Sequence, residues 1–443
     1  MPDGLPVRAF ALARAHGTPL MVFSPDRLRA AVSRFRAFVD GLPFETEVYY
    51  SYKTNYLPAL CEELDRGGIG AEITSLVEWV LARSLYPPSR IVVNGIGKAS
   101  DGLLRQVATG DDQPRLINLE TDTEVDTIRT ARADGRILKV GLRVCVPSIS
   151  GERGSDPSEH WRRGTAKFGW TDDGVAVVDA ARKITANRAA TLEALHLHLG
   201  SQIVSARLYN TALTRVCDLL ERLRAAGVRS VTTLDLGGGL ASGWVTKRRT
   251  GPFFELLRAT GVPIPARAQH DPDLNGITAV IRDHAARLRA LGISRLIFEP
   301  GRFLAEPSML AVASVVALRR DGARRHAVLD LGTNALHCWR SNETRPIAFD
   351  WPRTGQLERQ ERVSLVGPLC HRSDTFGVVS APAGLAPGTL VCLDAVGAYS
   401  LGDWIANTWC RPAVVGADGD LLWRRQTIDE VTAPACSPRG SQT

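Results

Sequence analysis

The feature that most constrains this chain is an alternation repeated eight times. Short apolar, β-prone runs stand at Val48–Tyr52, Ile69–Ile73, Ile91–Asn94, Leu116–Leu119, Lys139–Val144, Leu195–His198, Thr233–Leu236 and Arg295–Phe298. Helical periodicities separate or flank them, at Leu57–Asp65, Ser75–Leu85, Asp101–Ala108, Thr123–Ala133, Asp173–Ala186, Ala206–Ala226 and Ile277–Leu291. Ahead of the first run, Ser24 can cap a helix, Pro25 suits its first turn, and Leu28, Val32, Phe35 and Val39 share one face up to Gly41. Eight strand–helix units in about 250 residues is the expectation for a (β/α)8 barrel, with a doubly wound open sheet as the competitor.

The ends of the runs favour the barrel. Lys53, Glu72, Asn94, His198, Asp235 and Glu299 each stand at or just past the C-terminal end of a different predicted strand. Closing a barrel brings such positions to one face, where the active sites of this architecture lie. After Arg302 the pattern changes to short strands such as Ala327–Leu331, Arg362–Val366 and Thr389–Leu393 between Gly/Pro turns. The expected organisation is α/β: a barrel over 25–300, a mainly β domain formed by 301–431 with 1–24, and a polar, disordered tail at 432–443. Two long loops, Pro147–Thr165 and Ala241–Asn275, have the length of lids.

Composition removes other classes. The chain has 443 residues, 44% hydrophobic and 23% charged, as a globular protein does. The net charge is +7, but its short clusters (Lys247-Arg248-Arg249, Arg319-Arg320, Arg324-Arg325) lack interleaved aromatics and read as solvated surface rather than a nucleic-acid site. The longest apolar candidate, Met309–Leu318, falls well short of the roughly 20 residues a membrane span needs. No secretory pattern opens the sequence. The eight cysteines, at 61, 145, 217, 338, 370, 392, 410 and 436, form no CxxC pair and no zinc spacing, so no metal and a reducing, cytoplasmic setting are expected. Only six of the 54 basic residues are lysines, which makes Lys53, directly after an apolar strand, conspicuous.

The strand ends also carry motifs in a fixed order. They are Tyr52-Lys53-Thr54-Asn55, Glu72-x-x-Ser75-x-x-Glu78, Lys167-Phe168-Gly169, His196-Leu197-His198-Leu199-Gly200-Ser201, Asp235-Leu236-Gly237-Gly238-Gly239 and Glu299-Pro300-Gly301-Arg302. Gly367-Pro368-Leu369-Cys370 with Asp374, and Gly397-Ala398-Tyr399, complete the series. Together, over residues 52–399, they resemble the diaminopimelate/ornithine/arginine decarboxylase family. Its members are fold-type III enzymes dependent on pyridoxal 5′-phosphate (PLP), built on the alanine racemase-type barrel. The resemblance implies a PLP-dependent amino-acid decarboxylase acting as a homodimer with shared active sites.

Each residue has its own chemistry beside the resemblance. A lysine at a barrel mouth can form a Schiff base with an aldehyde cofactor, and the resemblance gives that role to Lys53, next to Glu72. Backbone N–H groups of Gly237, Gly238 and Gly239 can approach an anion closely. The family uses this loop, with Ser201 and Tyr399, for the cofactor phosphate. Arg302, after Gly301, suits either that phosphate or a substrate carboxylate. A carboxylate at Glu299 near the pyridine nitrogen keeps it protonated, a strong electron sink that favours decarboxylation over racemisation. By resemblance His198 stacks on the cofactor ring, whereas His196 is read as a packed core histidine. Cys370 resembles the cysteine that protonates the carbanion in the other subunit's site, and a thiol titrating near pH 8.5 suits that task. The other seven cysteines read as small apolar residues. Lys167 and Asp374 resemble a pair that bridges subunits.

Three departures stand out, and the last two bear on substrate. The Glu72 motif normally opens with Asp. The residue after the cysteine is acidic in many relatives and binds a distal amino group, but here His371 and Arg372 follow. Asp330-Leu331-Gly332-Thr333-Asn334 leads to Cys338-Trp339 where relatives acting on diaminopimelate carry Arg-Pro, with Arg340 two residues later. Arg302, His371, Arg372 and Asp374 are therefore the expected substrate contacts. The expected substrate is a specialised amino acid of natural-product or siderophore type, free or tethered to a carrier protein. Epimerisation and a non-catalytic PLP-binding regulator are the alternatives.

Overall fold

The computed structural model describes residues 4–111, 113–130, 137–145, 167–171, 174–186, 189–247, 253, 271–322, 324–336, 343–351, 359–407 and 409–433. All of the loop expected at 147–165, most of that at 241–275, the tail from 434, and Cys338, Trp339, Arg340 and Cys436 lie outside the described residues. Contacts divide the chain into two compact units. One comprises 30–241 and 271–304, the other 1–29, 242–270 and 305–443.

The first unit is a closed parallel barrel. Its eight strands are, in chain order, Glu45–Ser51, Gly70–Ile73, Ile91–Val93, Leu116–Leu119, Leu138–Cys145, Ala190–Leu197, Thr233–Asp235 and Arg295–Phe298. Each pairs in parallel with its chain neighbour, and the eighth closes on the first through Phe298↔Val48. Val, Ile and Leu fill both faces, as the burial of Ile91–Val93 and Leu116–Leu119 shows; such runs suit strands covered by helices on one side and barrel core on the other. The helices fall where the periodicity predicts them. Asp273 caps Leu274–Ala290 through Gly276 N, and Ser205 caps Ala206–Ala225 through Arg207 N.

The second unit is mostly sheet. Its strands run in the order Thr375–Pro382, Gln360–Val366, Arg324–Leu329, Met309–Asp321, Leu20–Phe23, Ala413–Gly416 and Leu421–Trp423. Leu390–Leu393 adds to Met309–Asp321 and to Ile347–Phe349. The longest apolar run in the sequence is thus a strand. Its first half is buried and its second half runs out to the surface. A helix not anticipated from the sequence, Leu5–His16, lays Leu5, Ala9, Phe10 and Ala13 on Leu20, Val22, Leu310, Val312 and Val415. The spacing of these four residues and Pro6 in the first turn were its signal. Among the described residues no helix is long and apolar enough to cross a membrane.

Candidate active site

Lys53 sits in a single 3-10 turn, Tyr52–Thr54, immediately after the first barrel strand. Tyr50 Oη donates to Asn55 O at 2.9 Å, and Asn55 Oδ1 accepts from Leu57 N at 3.0 Å, which fixes the turn from below. Tyr52 packs edge-on to Tyr86. The turn leaves the Lys53 side chain 43% exposed while its Nζ stands 3.2 Å from Glu72 Oε2. Lys98, a second lysine, is wholly buried and committed to Glu124 (2.7 Å) and Gly95 O (2.9 Å). Burial drives the Lys98 pKa down, against the pull of Glu124. Of these two lysines, Lys53 is the one whose ammonium a cofactor aldehyde can reach.

Behind Lys53 the barrel encloses a polar network. Glu72 is fully buried and accepts from Ser51 Oγ and from Asn94 Nδ2 at 3.0 Å. Asn94 Nδ2 also donates to Glu299 Oε1 at 2.8 Å, and Asn118 Nδ2 donates to Asn94 Oδ1 (2.8 Å) and Asp235 Oδ2 (3.0 Å). Burial opposes the Glu299 charge, yet His196, Asp235 and Lys53 together hold its pKa near 2. Glu299 is an anion held in a dry site. His196 is buried in the barrel core as expected, and its Nε2 stands 3.5 Å from Glu299 Oε2. The side chains of residues 196 and 198 do not behave alike, since His198 reaches solvent. Part of the ring reaches solvent, but the barrel atoms crowded around the rest, then the charges of Lys53 and Arg143, pull the His198 pKa down, so its ring is neutral at neutral pH.

The three glycines after the seventh strand pack so closely on neighbouring backbone that none has room for a side chain. A Cβ at Gly237 would strike Leu197 O, at Gly238 Glu299 O, and at Gly239 Gly200 O. Gly237 and Gly239 have φ of +63° and +93°, a conformation natural to glycine. Ser201 is exposed beside them, and Gln202 holds φ +60°. Gly301 is packed on Thr54, where a Cβ would clash, and half-buried Arg302 opens the short helix Arg302–Ala305.

The remaining residues belong to the second unit. Cys370 and Arg372 are exposed and His371 is half-buried, its Nδ1 3.0 Å from Ser373 Oγ. Asp374 departs from its expected part in substrate binding. It is buried, with Oδ1 accepting from Thr333 N (2.7 Å) and Thr333 Oγ1 (2.9 Å) and Oδ2 from Leu369 N (2.7 Å). Three donors occupy the carboxylate, so it holds the cysteine loop in shape. Tyr399 is half-buried with φ +56°, and Ala395 of the same loop has φ +55°. A non-glycine residue in this region costs on the order of 1 kcal/mol and marks a loop held by its surroundings. Arg27 and Arg345 supply that hold: Arg27 pairs with Asp394 at 2.6 Å, and Arg345 Nε donates to Ala395 O at 2.8 Å. Of the other cysteines, Cys61, Cys217 and Cys392 are buried, whereas Cys145 and Cys410 are half-buried. Burial pushes the Cys61 thiol up to about 12.

Sequence reasoning passed over Asn118, Arg143 and Arg345. Asn118 ends no recognisable motif. Arg143, 3.0 Å from Glu120 and 4.5 Å above the Phe168 ring, lies inside the fifth strand rather than past it. Arg345-Pro346 lies further along the chain than the Arg-Pro sought near 338, and its guanidinium is fully buried against Glu306 at 2.9 Å.

A reachable lysine, a buried anion and a tight three-glycine turn at one end of the barrel fit the aldehyde, ring nitrogen and phosphate of PLP, and define a barrel enzyme of the PLP class. Residues 28–306 match the family described as pyridoxal-dependent decarboxylase, pyridoxal binding domain, and the chain belongs to it. The diaminopimelate decarboxylase of Zymomonas mobilis is 25% identical over 438 residues, 95% of this chain and 93% of that one. The diaminopimelate decarboxylase of Actinosynnema pretiosum is 29% identical over 448 residues, 96% and 90% of the two chains. A diaminopimelate decarboxylase variant from Helicobacter pylori, complexed with L-lysine, superposes with a TM-score of 0.78 at 20% identity, covering 96% of this chain and 98% of that one. The lysine/ornithine decarboxylase of Vibrio vulnificus, complexed with putrescine, gives 0.72 at 18% identity over 95% and 99%. The structural likenesses speak to the fold. With the family match and the curated relatives, the chain is a PLP-dependent amino-acid decarboxylase.

Proposed function

We propose that Lys53 carries the cofactor, that Glu299 faces its ring nitrogen, and that the substrate is an α-amino acid whose far end meets His371 and Arg372. When bound, PLP supplies the electron sink for the pair left on Cα as CO2 departs. Glu299, an anion in a dry site, holds a proton on the ring nitrogen and keeps that sink strong. Neutral His198 lies against the ring without adding a positive charge. The Gly237–Gly239 loop, whose Gly237 N–H is given to Asp235 Oδ1 at 3.0 Å, binds the phosphate together with Ser201, Arg302 and Tyr399, and Glu72 steadies the Lys53 ammonium at 3.2 Å. Cys370 returns the proton to Cα, serving the partner subunit of a homodimer. The observation that carries this reading is the reachable Lys53 against buried Glu72, with buried Glu299 and the glycine turn at the same barrel end.

The segment Cys370-His371-Arg372 offers a cation and an imidazole but no carboxylate, since Asp374 is turned inward. It suits an anionic or bulky distal group, free or carrier-borne, and gives a lone distal ammonium no partner. The names of the curated relatives support a second reading, diaminopimelate, whose far end carries a carboxylate beside its amine. A mass-spectrometric panel with PLP-loaded protein separates them. CO2 loss from an amino acid with an acidic or bulky far end, and none from ornithine, is expected. Turnover of diaminopimelate above all others supports the second reading, and preference for ornithine contradicts both. Solvent-deuterium uptake without CO2 loss across the panel would mean epimerisation, and an unperturbed cofactor spectrum throughout a non-catalytic role.

A further inference from the structure

The loop that leads to Tyr399 is held in a costly shape by a buried arginine with no assigned part in the reaction. Ala395 (φ +55°) and Tyr399 (φ +56°) both lie in the left-handed region without being glycine. Around Ala395 the backbone is pinned. Asp394 N donates to Pro346 O (2.9 Å), Val396 N to Met309 O (2.9 Å) and Gly397 N to Glu306 O (3.1 Å), and a Cβ at Gly397 would strike Ala305 O. Ala395 itself is held by side chains. Its N–H goes to Asp394 Oδ1 at 2.6 Å, and its carbonyl accepts from Arg345 Nε at 2.8 Å. Arg27, in the first turn of the helix Pro25–Asp40, grips wholly buried Asp394 at two points: Nη1 to Oδ1 at 2.6 Å and Nη2 to Oδ2 at 3.1 Å. Nη1 also reaches Pro307 O at 3.3 Å, and the guanidinium lies 4.9 Å from the centre of the Trp244 ring. Such a fork with a stacked face needs a planar guanidinium; a lysine supplies a single point of contact. Without Arg27, and among the described residues, the buried Asp394 carboxylate keeps only the Ala395 N–H as donor. A charge so stranded is relieved by moving toward water, and the loop moves with it.

We propose that Arg27 is a positioning residue for cofactor binding: by fixing Asp394 it holds Ala395 and Tyr399 in their left-handed conformations, and so sets how tightly the cofactor phosphate is held. The inference rests on the reading of Tyr399 as a phosphate contact given above. Arg27 acts through the loop alone, so its loss weakens PLP binding and leaves attachment at Lys53 intact.

The test titrates the full-length protein with PLP and reads cofactor absorbance and the phosphorus NMR resonance of the bound cofactor. Arg27→Met weakens PLP binding roughly tenfold or more and moves the phosphorus resonance, with the lysine-bound absorbance unchanged at saturating PLP. Arg27→Met combined with Asp394→Asn removes both charges, so the melting temperature of cofactor-free protein recovers toward wild type while PLP stays weakly held. Tyr399→Phe moves the same resonance, and adding it to Arg27→Met costs less than the sum of the two single losses. Recovery of PLP affinity together with the melting temperature would make the pair a stability device and overturn the proposal. Wild-type affinity in Arg27→Met, or losses that simply add, would overturn it too. A resonance that Arg27→Met moves and Tyr399→Phe does not would contradict the assignment of Tyr399, and with it the route from Arg27 to the phosphate.

Discussion

The two ends of the barrel handle charge in opposite ways. At the N-terminal ends of the strands, Arg115 bridges Glu47 (2.9 Å) and Glu193 (2.7 Å), and Arg295 bridges Glu47 (2.9 Å) and Glu45 (2.8 Å). Lys139 adds a contact to Glu193 at 3.5 Å, so three carboxylates meet three cations. At the C-terminal end Glu72, Asp235 and Glu299 meet Lys53 and His196, and neutral asparagine amides fill the gaps. The balanced end lowers the pKa of Glu47, because contacts with Arg115 and Arg295 outweigh its burial. The unbalanced end drives Asp235 up and Glu299 down. One end of the same barrel serves stability, the other chemistry.

Substitutions at the two ends should therefore separate folding from turnover. Lys53→Ala has the largest effect: turnover falls by at least about a thousandfold and the cofactor's lysine-bound absorbance disappears, while the melting temperature of cofactor-free protein stays put. Retained absorbance would break the comparison at its strongest point. Glu299→Gln should lower kcat by roughly 10²–10³, with a shifted pH profile of cofactor absorbance. Cys370→Ala should keep cofactor binding and slow product formation by about a hundredfold, or scramble its stereochemistry, as read by chiral chromatography.

At the other end, Arg115→Ala leaves Glu47 and Glu193 facing each other and should cost roughly 3 kcal/mol of stability in denaturant titration, with kcat per folded molecule unchanged. Because the Glu47 pKa is depressed in the folded state, its contribution is present above the ordinary glutamate range and is lost as pH falls through the lowered value. The variant should lose that acid-side slope. The smallest effect belongs to Glu78, which burial and then the Glu72 charge push up to about 7. The folded chain keeps a proton that the unfolded chain releases, so stability falls as pH rises from the glutamate range through 7. Glu78→Gln should flatten that fall by on the order of 1 kcal/mol.

The barrel was legible because its strands are buried on both faces and its helices on one, so each element writes its own period into the sequence. Lys53, Glu72, Asn94, Asp235 and Glu299 were legible because closure brings strand ends together whatever the loops do. Other features turn on which way a side chain points. The partnership of His196 with Glu299 and the inward turn of Asp374 depend on rotamers and on donors from Thr333 and Leu369, distant in sequence from one another. Asn118 was invisible for the same reason, since its value lies in joining Asn94 to Asp235 across three strands. The helix Leu5–His16 carried its signal openly, but its apolar face is made of few residues, and Val7 repeats apolar character on the exposed side.

The central claim is that Lys53 is the cofactor lysine. The direct measurement is borohydride reduction of PLP-loaded protein followed by proteolysis and peptide mass mapping. The account predicts a pyridoxyl group on Lys53 and on none of the other five lysines. A pyridoxyl group on Lys98 or Lys167, with Lys53 unmodified, would contradict it.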